Sequence, residues 1–174
     1  MEEIKNEECP MCNTKNLVLR EDTNDIPHFG KVFIFSMTCS KCNYHMSDVE
    51  CEGINDPSRY TFTIENEKDL NVKVIKSGTA TVKIPQLRMD SRPGPASIGF
   101  ISNMEGLLKK FEDILISERD SAEDNEARTA AKNLLKKIWK VKCGDIPLKI
   151  VIEDPNGNSA ILSDKAIVEK MKVK

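Results

Sequence analysis

The stretch TCSKCNYH at residues 38–45 sets two cysteines two residues apart, and ECPMCNTK at residues 8–15 repeats the spacing near the start of the chain. Two such pairs, each on a tight turn, bring four sulfurs to the corners of a tetrahedron, which is what a closed structural Zn²⁺ site requires. The residues between them carry two strand-like runs, LVLRE (17–21) and GKVFIFSMT (30–38), so the chain runs out and back as a ribbon. Asn13 and Asn43 each follow a pair, and a left-handed backbone at that position turns successive amides towards the sulfurs; asparagine is second only to glycine in tolerating it. Cys9, Cys12, Cys39 and Cys42 are therefore the candidate metal ligands. Zinc is the economical reading. A redox dithiol is the alternative, but no helix of a βαβ unit follows either pair, and tetrahedral S₄ ligation does not by itself separate zinc from iron. Four sulfurs close the coordination sphere and leave no position for a substrate, so the metal is expected to staple the fold and not to catalyse.

Working outward, YHMSDVEC (44–51) reads as a third strand of this module, and EGINDPSR (52–59) has the composition of a linker. The chain thus divides into a ribbon or finger at 1–55 and a β-rich domain at 56–174. In the second part RYTFTIEN, LNVKVIKS and ATVKIPQLRMD alternate apolar and polar residues with a period of two. SRPGPASIGF (91–100) is a Pro- and Gly-rich loop. Met104, Leu107, Leu108, Phe111 and Leu115 then fall at helical spacing, and Ala127, Ala131, Leu134, Leu135, Ile138 and Trp139 form a second helical stripe. Ser121 and Asp124 have capping-box spacing between them. A helical hairpin over about 102–143 follows, ending at Cys143-Gly144 and inserted between strands. LKIVIED and NSAILS flank Pro155-Asn156-Gly157, which predicts a β-hairpin, and the Lys-rich tail at 165–174 reads as a short helix or a frayed end.

The rest of the composition narrows function. The 174 residues include 26 Lys and Arg against 28 Asp and Glu, a formal charge of −2, so no global field steers the protein to nucleic acid. Neither a signal peptide nor a membrane span is expected, and the cytoplasm is the expected compartment. Only His28 and His45 are present, both in the finger, which leaves an oxygenase-like metal site without ligands. His45, three residues after Cys42, either competes as a ligand or is a strand residue on the finger surface. Cys51 and Cys143 read as buried small hydrophobes. No phosphate-binding loop, GxGxxG or nucleophile elbow occurs, so an enzyme is not expected. Asp154 reads as a turn-stabilising residue and not as half of a catalytic pair with Glu153, because neighbours on a strand face opposite ways. Lys132, Lys136 and Lys140 share a helix face that reads as solvated in preference to RNA-binding. In NDIPHFG, residues Ile26, Pro27, His28 and Phe29 either pack the finger's own core or present an apolar tip to a partner.

CPMC (9–12), IPHFGKVFIFSMTCSKCNYHMSDVE (26–50), TVKIPQLRMD (81–90), SIGFISNMEGLL (97–108) and PLKIVIEDPNGNSAI (147–161) resemble, in this order and spacing, the ZPR-type zinc-finger proteins of archaea and eukaryotes. The resemblance covers nearly the whole chain. It implies a mainly β fold: a four-cysteine zinc ribbon followed by a domain similar to a double-stranded β-helix carrying a helical hairpin. Eukaryotic members hold this module twice, and the present chain looks like the single-module archaeal form. The resemblance implies one structural zinc on the four cysteines and a binding protein that associates with the GDP form of translation elongation factor one-alpha and assists its folding. Ile26, Pro27, His28 and Phe29, with Gly99, Glu105 and Gly106, are the partner-binding candidates on this basis. Asn43 departs from the family's glycine, and Gly30-Lys31 from a more usual acidic residue. A nucleic-acid- or ribosome-binding ribbon is the alternative function.

Overall fold

A computed structural model describes residues 2–26 and 30–171, with the side chain of Ile26 excepted. The first 51 residues build a four-stranded antiparallel sheet in chain order: β1 (Glu2–Glu7), β2 (Leu17–Ile26), β3 (Gly30–Cys39) and β4 (His45–Cys51). β2 and β3 alternate β-branched or aromatic residues with polar ones and pair without interruption from Leu17 opposite Cys39 to Ile26 opposite Gly30. At the ordinary rise per residue this ladder spans ~30 Å. The acidic N-terminus is itself a strand: every residue of β1 is exposed, and it is held by backbone pairing to β2.

The second part is a two-sheet β domain. Its strands are β5 (Ser58–Ile64), β6 (Lys73–Lys76), β7 (Thr81–Ile84), β8 (Met89–Ser91), β9 (Phe100–Asn103), β10 (Leu148–Asp154), β11 (Ala160–Leu162) and β12 (Ile167–Lys170). One sheet has the order β12-β5-β10-β7-β8, the other β11-β6-β9. The helices α1 (Met104–Ser121) and α2 (Asn125–Lys142) are inserted between β9 and β10. Phe62, Ile64, Val74, Val82, Ile84, Ile150 and Ile152 from the sheets and Leu107, Leu108, Phe111, Leu115 and Ile138 from the helices share one core, all at most 3% exposed. Burying each such side chain contributes about 1.5–3 kcal/mol, so this part has a core of its own.

Several sequence expectations change here. ATVKIPQLRMD is not one strand: Pro85 opens a short 3₁₀ turn, Arg88 takes φ 53°, and β8 folds back onto β7. Pro155-Asn156-Gly157 does make a turn, with the Gly157 amide donating to the Asp154 carbonyl and φ 64° at Gly157. It does not close a hairpin, because β10 pairs with β5 and β7 while β11 pairs with β6 in the other sheet. The tail is neither helix nor frayed over 167–170: β12 pairs with β5. Asp124 alone caps α2, accepting from the Ala127 amide, whereas Ser121 ends α1 and donates back to the Ser117 carbonyl. The hairpin does end at Gly144, at φ 74°. Trp139 is 61% exposed and not part of the buried stripe. Cys143 is exposed, and Cys51 is half-buried, its thiol pushed up to about 11 by burial and then by the charge of Asp154.

The finger sits against the β domain through β4. The Gly99 amide donates to Asp48 Oδ1 at 2.6 Å, and the Asn158 side chain bonds both Gly53 and Asn55. A Cβ on residue 99 would collide with the Val49 carbonyl oxygen. Gly99→Ala is therefore expected to cost about 1–3 kcal/mol by overpacking, seen as a lowered Tm and faster hydrogen exchange in β4. Unchanged Tm and exchange would mean the junction is not seated on this glycine.

Candidate metal centre

The two cysteine turns are the connections β1–β2 and β3–β4, at the same end of the finger sheet. In the first, the Cys9 amide donates to the Thr14 carbonyl and the Asn13 amide to the Cys9 carbonyl; in the second, the Cys39 amide donates to the Tyr44 carbonyl. Asn13 and Asn43 take φ 51° and 57°, the left-handed conformation expected after each pair. Leu17 lies opposite Cys39 in the ladder, which brings the turns together. The four Sγ atoms all lie within 4.8 Å of one another, with Cys9–Cys42 at 3.6 Å and Cys12–Cys39 at 3.7 Å. A tetrahedron with Zn–S bonds of about 2.3 Å has edges of about 3.8 Å, so the cluster fits one such ion.

Charge makes the same demand. The Thr14 hydroxyl, 3.1 Å from Cys12 Sγ, draws that thiol down to about 6. The amides of Cys42 and Lys41 lower Cys39. The Tyr44 amide pulls on Cys42 too, yet desolvation and the three neighbouring thiols push it up to about 12. Cys12 and Cys39 are thus lowered and Cys42 raised, and a cation at the centre would favour the charged form of the sulfurs around it. Cys9 and Cys39 are fully buried with Leu17 at the centre of a small cluster, while Cys42 faces solvent. Thr14 was not singled out by spacing; a hydroxyl two residues after Cys12 is the signal that would have found it. His45 stands apart from the sulfurs, exposed on β4 with its Nδ1 3.1 Å from the Thr38 hydroxyl.

The partner-binding candidates do not converge. Pro27, His28 and Phe29 lie outside the described residues, and Ile26 ends β2 at the end of the ladder away from the cysteines. Gly99 and Glu105 flank opposite ends of β9. Gly99 lies at the finger junction; Gly106 donates its amide to Asn103 Oδ1, the α1 cap, and has the Ser102 hydroxyl where a Cβ would go. Glu105 is exposed in the first turn of α1. Glu153 and Asp154 point apart: Glu153 bridges Arg59 and Lys83, while Asp154 is fully buried. Among the described residues no helix is long and apolar enough to cross a membrane.

Comparison with known proteins agrees with this architecture. Residues 3–55 match the ZPR1 zinc-finger domain and residues 68–174 the ZPR1 jelly-roll domain. A ZPR1-like protein of Methanocaldococcus jannaschii is 38% identical over 165 residues, covering 94% of this chain and 83% of the relative. One of Pyrococcus horikoshii is 37% identical over 175 residues, covering 98% and 78%. The zinc finger chaperone zpr1 of Schizosaccharomyces pombe is 29% identical over 158 residues, and there the match covers 88% of this chain but 33% of the relative. Cys9, Cys12, Cys39 and Cys42 are thus the site of one structural zinc ion. The chain belongs to the ZPR1 zinc-finger family.

Proposed function

We propose that this protein is a zinc-stapled adaptor or chaperone of translation elongation factor one-alpha, acting in the cytoplasm by binding the GDP form and assisting its folding. The observation that carries the reading is kinship across 88% of the chain with a protein named a zinc finger chaperone. The geometry suits such a role. A closed S₄ site supplies rigidity and no reactive position, so the work falls to surfaces held in register. Docking of Gly99 on β4 fixes the finger against the jelly roll, and a client can be gripped by both at once. The near-neutral balance of charge favours a protein client over a phosphate backbone. The protein binds and catalyses nothing.

Titration calorimetry of the zinc-loaded protein against its own organism's elongation factor, at two salt concentrations, tests this. Binding that favours GDP, tolerates salt and is lost in Phe29→Ala is the expected result. No binding in either nucleotide state would overturn the reading, and binding to RNA that weakens steeply with salt would replace it.

A further inference from the structure

Lys76 is 6% exposed, an unusual place for an ammonium. Its Nζ donates to one acceptor, the Ser77 carbonyl at 2.9 Å, leaving two of three N–H donors to be satisfied. Asp154, whose field helps hold the proton on Lys76, is not a direct partner: its oxygens already accept from Ser77, Thr79 and Ser159 hydroxyls and the Asn156 amide. A second lysine crowds the same spot. Lys110 Nζ stands 4.5 Å from the Phe100 ring centre and Lys76 Nζ 5.8 Å from it. Among the described residues, neither lysine has a carboxylate within ion-pair distance. Burial pushes Lys76 down first of all, and Lys110 adds to that. Two cations that disfavour each other, one of them desolvated, share an aromatic ring with no anion between them.

The cavity they line is small, about 50 Å³, with Val82, Ser91, Phe100, Leu107, Phe111 and Ile114 completing its wall. One water needs about 10–15 Å³ of such space, so the cavity has room for a carboxylate head. Its surroundings are apolar: Phe100 is half-buried, and Ile114 is 49% exposed at the mouth. The fold places it where β8 and β9, edge strands of the two sheets, approach α1. β8 pairs with β7 on one side only, so its other edge offers backbone donors and acceptors to an incoming strand.

We infer that this cavity is a carboxylate-binding pocket, and that its ligand is the aspartate or glutamate side chain of an extended segment of a protein partner laid along the open edge of β8. The carboxylate takes the free donors of Lys76 and meets Lys110, while its methylene stem lies on Phe100 and Ile114. A phosphate fits less well, since no arginine fork and no helix N-terminus faces the cavity. The pocket belongs to the jelly roll and stands whichever client the finger serves.

The test uses the zinc-loaded full chain, labelled with ¹³C at the lysine ε-carbons, and follows Lys76 and Lys110 by NMR. The probes are the blocked peptide Val-Glu-Val-Glu-Val, its Gln counterpart, acetate and inorganic phosphate. The Glu peptide is expected to shift both lysine signals saturably, the Gln peptide to leave them in place, and acetate to act only far more weakly. Lys110→Gln, an exposed change, is expected to weaken the Glu peptide about tenfold or more, the loss of one charge-assisted contact. Lys76→Met keeps the aliphatic stem and, where it folds, is expected to abolish binding. Unmoved lysine signals, equal shifts from the Gln peptide, a response to phosphate alone, or acetate binding as tightly as the peptide would each overturn the proposal. So would unchanged affinity in Lys110→Gln or in a folded Lys76→Met.

Discussion

Cys39→Ser is expected to strip the protein of zinc and unfold residues 9–50 while the jelly roll remains folded. The finger's own cluster is Leu17 with Cys9 and Cys39, and two of those three are ligands. Such a cluster cannot offset the ordering of a four-stranded sheet. Structural zinc sites supply apparent free energies of about 10–16 kcal/mol, and here that term decides between folded and unfolded. The jelly-roll core contains no residue of the finger, so its transition survives. Metal analysis together with hydrogen exchange reads both effects: zinc falls from one per chain to none, and protection disappears from β2 and β3 but not from β10. A mutant that keeps its zinc and its protection in β3 would refute the four-thiolate site. Chelation of the wild type should reproduce the mutant.

The second large effect is expected at Asp154. Its carboxylate is fully buried and accepts from Ser159 Oγ at 2.6 Å, Ser77 Oγ at 2.7 Å, Thr79 Oγ1 at 2.8 Å and the Asn156 amide at 3.0 Å. These donors come from the β6–β7 turn and the β10–β11 turn, so one side chain ties the two sheets together. Asp154→Ala orphans several buried donors at once and is expected to cost about 3–5 kcal/mol, against about 1 kcal/mol for Ser159→Ala. Denaturant titration separates the two. Burial pushes this carboxyl up, but the four donors outweigh it and hold its pKa below the usual carboxylate value. A lowered folded-state pKa means that the stabilisation is complete above the unfolded value, about 3.9, and is lost as pH falls through the folded one. Stability should therefore be insensitive to this group from pH 5 upward and fall below about pH 4. Asp154→Asn should flatten that acid limb, and an unaltered limb would assign it to other carboxylates.

Much of the architecture was legible where local pattern and tertiary demand coincide. The paired cysteines, the asparagines after them, the apolar stripe of α1 and the alternation in β5 all read correctly, because each is set by spacing within a few residues. What escaped is set from a distance. β1 has one apolar residue, Ile4, and exists because β2 offers it an edge. β12 lacks burial altogether and is defined by pairing with β5, about a hundred residues earlier in the chain. The Asn-Gly turn was visible, but a turn does not say that the strands on either side of it enter different sheets. Trp139 obeys helical period yet is exposed, because α2 packs on α1 and on the 3₁₀ turn at Glu67–Asn71 and Trp139 faces away from both. Lys76 reads like a surface lysine in an alternating run, but β6 is buried continuously from Val74 to Lys76, and Lys76 lies beside Phe100 of β9 and Lys110 and Phe111 of α1. The metal site was legible in full, the hydroxyl of Thr14 excepted.

The order of strands in the five-stranded sheet also dictates a timetable. The finger's strands pair only with their neighbours in the chain, so zinc can close it soon after Cys51 leaves the ribosome. β5, made next, finds no lasting partner until the helices have been synthesised and β10 emerges, and its outer neighbour β12 is made later still. Phe62 and Ile64 wait unburied through that interval, beside a module already locked by metal. Through that interval the finger is closed and the jelly roll open, and the open part is the one with the larger apolar surface to hide.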